Sequence, residues 1–149
     1  MAMQQVSQRH VDALLAKYAE SHRHPANEAI HFICIPAIIF SLLGLLWAAH
    51  PFVALAFGIS CMPYYFMLSP SFAFGMLLIA GTMLGILALL PEKAVLPLAL
   101  GVFVAAWIGQ FVGHKIEGRK PSFFDDLRFL LIGPLFVLGF LYRRLGIVY

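Results

Sequence analysis

The chain alternates long apolar runs with very short polar breaks. Four runs, 29–49, 52–68, 72–90 and 94–113, contain no Asp, Glu, Lys or Arg, and His31 is their only histidine. A bilayer core is crossed by about 20 apolar residues in a helix. The breaks between them are His50-Pro51, Ser69-Pro70 and Pro91-Glu92-Lys93, and His114-Lys115 ends the fourth run. Hydrocarbon tolerates no unpaired backbone, so turns this short force the helices into antiparallel neighbours. The pattern predicts an all-α integral membrane protein: one domain over 1–149 holding a bundle of about four transmembrane helices. A fifth apolar stretch, 129–142, contains Gly133-Pro134 and precedes Arg143-Arg144. It is short for a span, and reads as a re-entrant or interfacial helix, with a fifth full span as the alternative. Upstream, Val11, Leu14, Leu15 and Tyr18 fall at helical spacing, with Gln8, Asp12, Lys17 and Glu20 elsewhere on the wheel. This predicts an N-terminal amphipathic helix, lying in the interface plane or against the loop after the fourth span.

Composition sharpens the picture. Of 149 residues, 62% are hydrophobic and 11% charged, against about half and a quarter in soluble domains. The net charge of +3 comes from scattered cations, which argues against a nucleic-acid partner and leaves membrane lipids as the surroundings. Lys and Arg report orientation instead. Arg9, Lys17 and Arg23 precede the first span, and Lys115, Arg119, Lys120 and Arg128 follow the fourth. With four spans these segments share one side, predicted to be cytoplasmic, and Lys93 beside Glu92 is the exception across the membrane. The expected setting is a bacterial inner membrane or a membrane of endoplasmic-reticulum type. The first 28 residues lack a continuous apolar core, so the first run is expected to stay as an anchor. Cys34 and Cys61 lie inside apolar runs and read as small packing residues. Trp47, Trp107 and Tyr64-Tyr65-Phe66 read as interface belt or pocket wall, with the belt preferred. Self-association is left open.

On this topology His22, His24, His31 and His114 reach the same membrane face from distant parts of the sequence, with Glu28, Glu117, Asp125 and Asp126 among the nearby acids. Imidazole is the commonest metal ligand, and His/carboxylate sets with open positions suit non-haem Fe(II). A histidine at a helix end near headgroups is also often only an interfacial residue. His10 and His50 read as structural. Asn27 is one turn before His31, and Gln110 one turn before His114, placed to orient it. Gly109 and Gly113 form a GxxxG pattern that lets helices approach closely.

Two strings carry a resemblance. His22-Arg-His-Pro-Ala-Asn27-Glu-Ala-Ile-His31 with Ile35-Pro36 is the first. Trp107-Ile-Gly-Gln110-Phe-Val-Gly-His114 with Glu117, Pro121 and Asp125-Asp126-Leu127 is the second, and Pro134 follows. In this order they resemble the signatures of the family of the fungal endoplasmic-reticulum 2-hydroxy fatty acid dioxygenase, over about residues 15–146. The resemblance implies an Fe(II)-dependent α-oxidation in which a 2-hydroxy fatty acid and O2 give CO2 and the acid one carbon shorter. It makes His22, His31 and His114 the metal candidates and Asn27 and Gln110 polar site residues. Glu117 lies three residues after His114 where the family pattern has four, so it ranks with His24 and Asp125 as a weaker ligand. Arg23, Arg119 and Lys120 are the candidates for neutralising the substrate carboxylate. The expected partners are an amphiphilic lipid acid and O2. The rival readings are a haem-binding membrane electron carrier using two of the histidines as axial ligands, and a non-enzymatic scaffold or carrier. Spans two and three are nearly free of polar groups, which argues against transport.

Overall fold

Three helices begin with a capping side chain followed by proline. His24 Nδ1 accepts from the Ala26 N–H at 3.2 Å, His50 Nδ1 from Phe52 N–H at 3.1 Å, and Ser69 Oγ from Phe72 N–H at 3.5 Å. Pro25, Pro51 and Pro70 then occupy the first helical position, where a missing N–H costs nothing and φ is already helical. The structure, a computed structural model, describes residues 9–118, 127 and 129–149. Among these are six helices and no strand: α1 (His10–Ala19), α2 (Pro25–Ala49), α3 (Pro51–Leu68), α4 (Pro70–Leu89), α5 (Glu92–Ile116) and α6 (Gly133–Leu145). Helices α2 to α5 are long and apolar enough to cross a membrane, and the chain is a membrane protein. The cap at His24 starts α2 one turn before its apolar run, which brings Asn27 and Glu28 into the helix.

Helices α2 and α5 are the tightest pair. A Cβ at Gly44 would lie 2.9 Å from Ala99 Cβ, one at Gly109 2.5 Å from Cys34 Sγ, and one at Gly113 under 3.0 Å from Asn27 Oδ1. The Gly109–Gly113 pair is therefore the surface that lets α5 sit against α2, as small residues do between helices in lipid. This contact brings the first turns of α2 to the last turns of α5.

Helices α1 and α6 close that end of the bundle. Val11, Leu15 and Tyr18 of α1 form a core with Ile35, Tyr65, Phe72, Met76, Leu135, Leu138 and Tyr142. The start of α6 meets α2, since Gly133 faces Ile35 and Tyr18. Near its other end, the Tyr142 hydroxyl donates to the Ser71 carbonyl at 2.7 Å, at the beginning of α4. The Tyr65 hydroxyl donates to the Leu131 carbonyl at 3.2 Å. Both ends of α6 thus touch the end where α2 and α4 begin and α3 and α5 finish. This supports the interfacial helix over a fifth span and keeps Arg143 and Arg144 on the side of α1. The interface-belt expectation fails for Tyr65 and Trp107, which expose only 2% and 7% of their surface. Both sit inside, held by packing between helices.

Candidate metal centre

His22, His31 and His114 come together where α1, α2 and α5 converge. They expose 6%, 1% and 6% of their surface. Their ring centroids are 4.2 Å (22–31), 4.8 Å (31–114) and 5.6 Å (22–114) apart, with interplanar angles of 60–76°. Each offers one ligand atom, and these three atoms lie within 4.8 Å of one another. Two nitrogens each about 2.1 Å from one ion are at most about 4.2 Å apart, so the widest pair has to close by roughly half an ångström.

The backbone fixes the tautomer of two of these rings. His22 Nδ1 lies 2.8 Å from the Tyr18 carbonyl oxygen, and His31 Nδ1 lies 2.9 Å from that of Asn27. A carbonyl only accepts, so both Nδ1 atoms carry the proton and donate it. Each Nε2 is left with its lone pair, the arrangement that orients a metal-ligating histidine. Both contacts span four residues: the turn of α2 supplies the Asn27 carbonyl, and the turn that ends α1 folds His22 back to the Tyr18 carbonyl, so neither needs a special side chain. Tyr18 also stacks on His22 with centroids 4.2 Å apart and planes at 13°. His31 Nε2 is buried and has no hydrogen-bond partner among the described residues. An orphaned buried acceptor costs free energy unless something binds it. The residues therefore fit a divalent transition ion. Three neutral imidazoles suit Fe, Zn, Cu or Ni and leave positions open for other ligands.

Glu117 clamps the site from outside. Its Oε1 accepts from Arg23 N–H at 3.0 Å, and its Oε2 accepts from His24 N–H at 2.8 Å and from Asn27 Nδ2 at 3.1 Å. Partial burial works against its charge, but the bonds from the His24 N–H, the Asn27 amide and the Arg23 N–H outweigh this and hold its carboxyl below the usual carboxylate range. The carboxylate thus ties the link between α1 and α2 to the end of α5. Asn27 also donates to the Ser21 carbonyl at 3.1 Å, and its Oδ1 is buried against Gly113 with no partner among the described residues.

Of the weaker ligand candidates, His24 is exposed and caps α2. Glu117 spends its oxygens on three hydrogen bonds, so neither joins the group of three. Asp125, Arg119 and Lys120 lie outside the described residues. The Arg23 side chain is exposed near the site, with its N–H on Glu117. Gln110 is buried one turn before His114, and its Oε1 has no partner among the described residues. Sequence reasoning missed the Tyr18 carbonyl. The signal was present: Tyr18–His22 repeats the four-residue spacing of Asn27–His31.

Comparison with known proteins gives two findings. The profile of a protein family described as "2-hydroxy-palmitic acid dioxygenase Mpo1-like" matches residues 8–145. The chain is also 32% identical over 142 residues to the 2-hydroxy-palmitic acid dioxygenase MPO1 of Saccharomyces cerevisiae, covering 89% of this chain and 79% of that protein. No solved structure matches the chain.

Proposed function

The chain belongs to the Mpo1-like family, and from that premise we propose that it is an Fe(II)-dependent dioxygenase shortening 2-hydroxy fatty acids by one carbon. The observation that carries the reading is the buried trio of imidazoles with two tautomers locked by backbone carbonyls. The yeast relative's name supplies the substrate class.

The overall reaction balances as one 2-hydroxy acid and one O2 giving one CO2, one water and the shorter acid. The C1–C2 bond breaks, C1 leaves as CO2, and C2 becomes the new carboxyl carbon. The acid loses four electrons and O2 accepts four. Fe(II), when bound, supplies the one-electron chemistry that lets O2 react with a closed-shell acid. His22 and His31, each through Nε2, and His114 would hold it. The Tyr18 and Asn27 carbonyls keep those nitrogens unprotonated. Gln110 Oε1 offers an acceptor to the substrate 2-hydroxyl. Buried apolar walls exclude water around the reacting carbons. Arg23, with Arg119 and Lys120, supplies positive charge for the carboxylate. The site faces the cytoplasm by the positive-inside argument. Rings this close leave no width for a macrocycle between them, which disfavours the haem reading.

The test begins with anaerobic purification and elemental analysis. Wild-type protein should hold about one iron per chain, and a His31→Ala/His114→Ala double variant almost none. Incubation with a 2-hydroxy acid, Fe(II) and O2 should yield the acid one carbon shorter and one CO2 per O2 consumed. Equal metal in both proteins, or no shortened acid, overturns the reading.

A further inference from the structure

The three imidazoles are not held alike. His31 and His114 project from within α2 and α5, where helical hydrogen bonds fix the backbone. His22 lies in the link between α1, which ends at Ala19, and α2, which begins at Pro25. That backbone is pinned too. The His22 N–H donates to the Ala19 carbonyl at 3.0 Å, and beyond it the N–H groups of Arg23 and His24 donate to Glu117. What these bonds do not set is the direction of the ring. Its Nδ1–H donates to the Tyr18 carbonyl at 2.8 Å. A hydrogen bond to a carbonyl tolerates a broad range of angles, so it leaves the plane of the imidazole loosely set.

The Tyr18 ring supplies that plane. It lies face to face with the imidazole, centroids 4.2 Å apart and planes at 13°. The His22 ring in turn stands edge-on to His31, at 4.2 Å and 76°. We propose that Tyr18 is a positioning residue for the metal centre. Its carbonyl holds His22 at a point and its ring holds it in a plane, and together they aim Nε2 at the ion shared with the other two imidazoles. The proposal rests on reading the trio as a metal centre, and it assigns the Tyr18 side chain a role that its carbonyl alone does not fill.

A ring can orient another only if it is itself held. Tyr18 exposes 7% of its surface. Phe129 meets it edge-on with centroids 5.7 Å apart and planes at 69°, and Phe136 tilts against it at 5.1 Å. Gly133 leaves room for the hydroxyl end, since a Cβ there would lie 3.3 Å from Tyr18 Oη. These three residues belong to the start of α6 and the turn before it. The interfacial helix therefore seats Tyr18, and Tyr18 seats His22. Aromatic pairs have preferred geometries, whereas an aliphatic side chain of similar volume presents no plane. A residue that only fills the core can be replaced by leucine, and a positioning ring cannot.

The test uses the full chain in lipid nanodiscs. Tyr18→Phe keeps the ring, and Tyr18→Leu removes it; both keep the backbone carbonyl. Tyr18→Met is the alternative should leucine impair folding. Leu15→Ala, also on the buried face of α1, controls for weakened docking of that helix. Co(II) affinity is measured by anaerobic competition against a chelator. Tyr18→Phe should bind within about twofold of wild type, and Tyr18→Leu about tenfold more weakly, as loss of a partner that orients a ligand does. Leu15→Ala should lower the metal-free unfolding midpoint yet bind Co(II) within about twofold of wild type. Wild-type affinity in Tyr18→Leu overturns the proposal. So does a loss in Tyr18→Phe or Leu15→Ala equal to that in Tyr18→Leu, because the hydroxyl or the docking of α1 would then be the cause. Imidazole nitrogen NMR of the metal-free proteins at neutral pH gives a second readout, with His22 assigned through His22→Gln. Wild type and Tyr18→Phe should show one Nδ1–H tautomer, with His22 ring protons shifted upfield by the stacked face. Tyr18→Leu should lose the upfield shift and average the two tautomers. If wild type binds no Co(II), the metal reading fails and this spectrum decides the role of Tyr18 alone: the averaging upholds its hold on His22, and an unchanged tautomer in Tyr18→Leu overturns it.

Discussion

Gly113→Ala is the smallest change that should separate the helix pair from the site it builds. The added Cβ would fall under 3.0 Å from Asn27 Oδ1, 3.1 Å from His31 Cε1 and 3.2 Å from His31 Nδ1. Asn27 has nowhere cheap to go. It is fully buried, and its Nδ2 is held by the Ser21 carbonyl and Glu117. Either the helices part, at the roughly 1–3 kcal/mol typical of overpacking, or Asn27 swings out and forfeits two hydrogen bonds at about 1 kcal/mol each. Both routes give about 2 kcal/mol, and both move His31 relative to His114. Metal distances tolerate only about 0.2 Å, so iron binding should suffer more than folding. The assay is thermal unfolding in detergent, first metal-free and then with added Fe(II) under anaerobic conditions. The metal-free midpoint should drop, and the Fe(II)-induced rise should nearly vanish. Gly101→Ala is the control, since its Cβ meets nothing within 4 Å, and it should be neutral or stabilising by up to about 1 kcal/mol. The reasoning is refuted should Gly113→Ala match Gly101→Ala in both measurements.

Other outcomes follow from the same geometry. His24→Ala should remove a helix cap at about 1 kcal/mol while iron content stays at the wild-type level, in contrast to His22→Ala; unfolding midpoints and elemental analysis check both. Glu117→Gln places an amide among the three donors that its carboxylate now accepts from, so iron affinity should fall by about tenfold and limited proteolysis between α1 and α2 should speed up. Because folding depresses the Glu117 pKa, its contribution to stability is complete above the ordinary carboxylate value and is lost as the pH falls through the lower, folded one. The midpoint difference between wild type and Glu117→Gln should accordingly shrink on acidification, in thermal scans of the metal-free proteins from neutral pH to about pH 3.

Much of this was legible in the residues. The four spans follow from apolar run length, and the breaks at His50-Pro51 and Ser69-Pro70 announce caps as well as turns. The shared face of His22, His31 and His114 followed from antiparallel packing, because an even number of crossings returns the chain to its starting side; their choice over His24 came from the family resemblance, and their contact is seen only in the structure. Glu117 was ranked among the weaker ligands from its spacing to His114, and what the sequence does not reveal is that the backbone N–H groups of Arg23 and His24 claim its carboxylate. Trp107 and Tyr65 were misplaced because interfacial and interior aromatics have the same composition signal in a membrane helix.

The placement of the third imidazole on α5 bears on how the protein is made. His22 and His31 emerge early and close together, whereas His114 follows only at the end of the last of the four spans. At translation speeds of 5–20 residues per second that delay is roughly ten seconds. A nascent chain holding two donors is a poor trap for a metal ion, so capture of an ion by the three imidazoles would wait until insertion is finished.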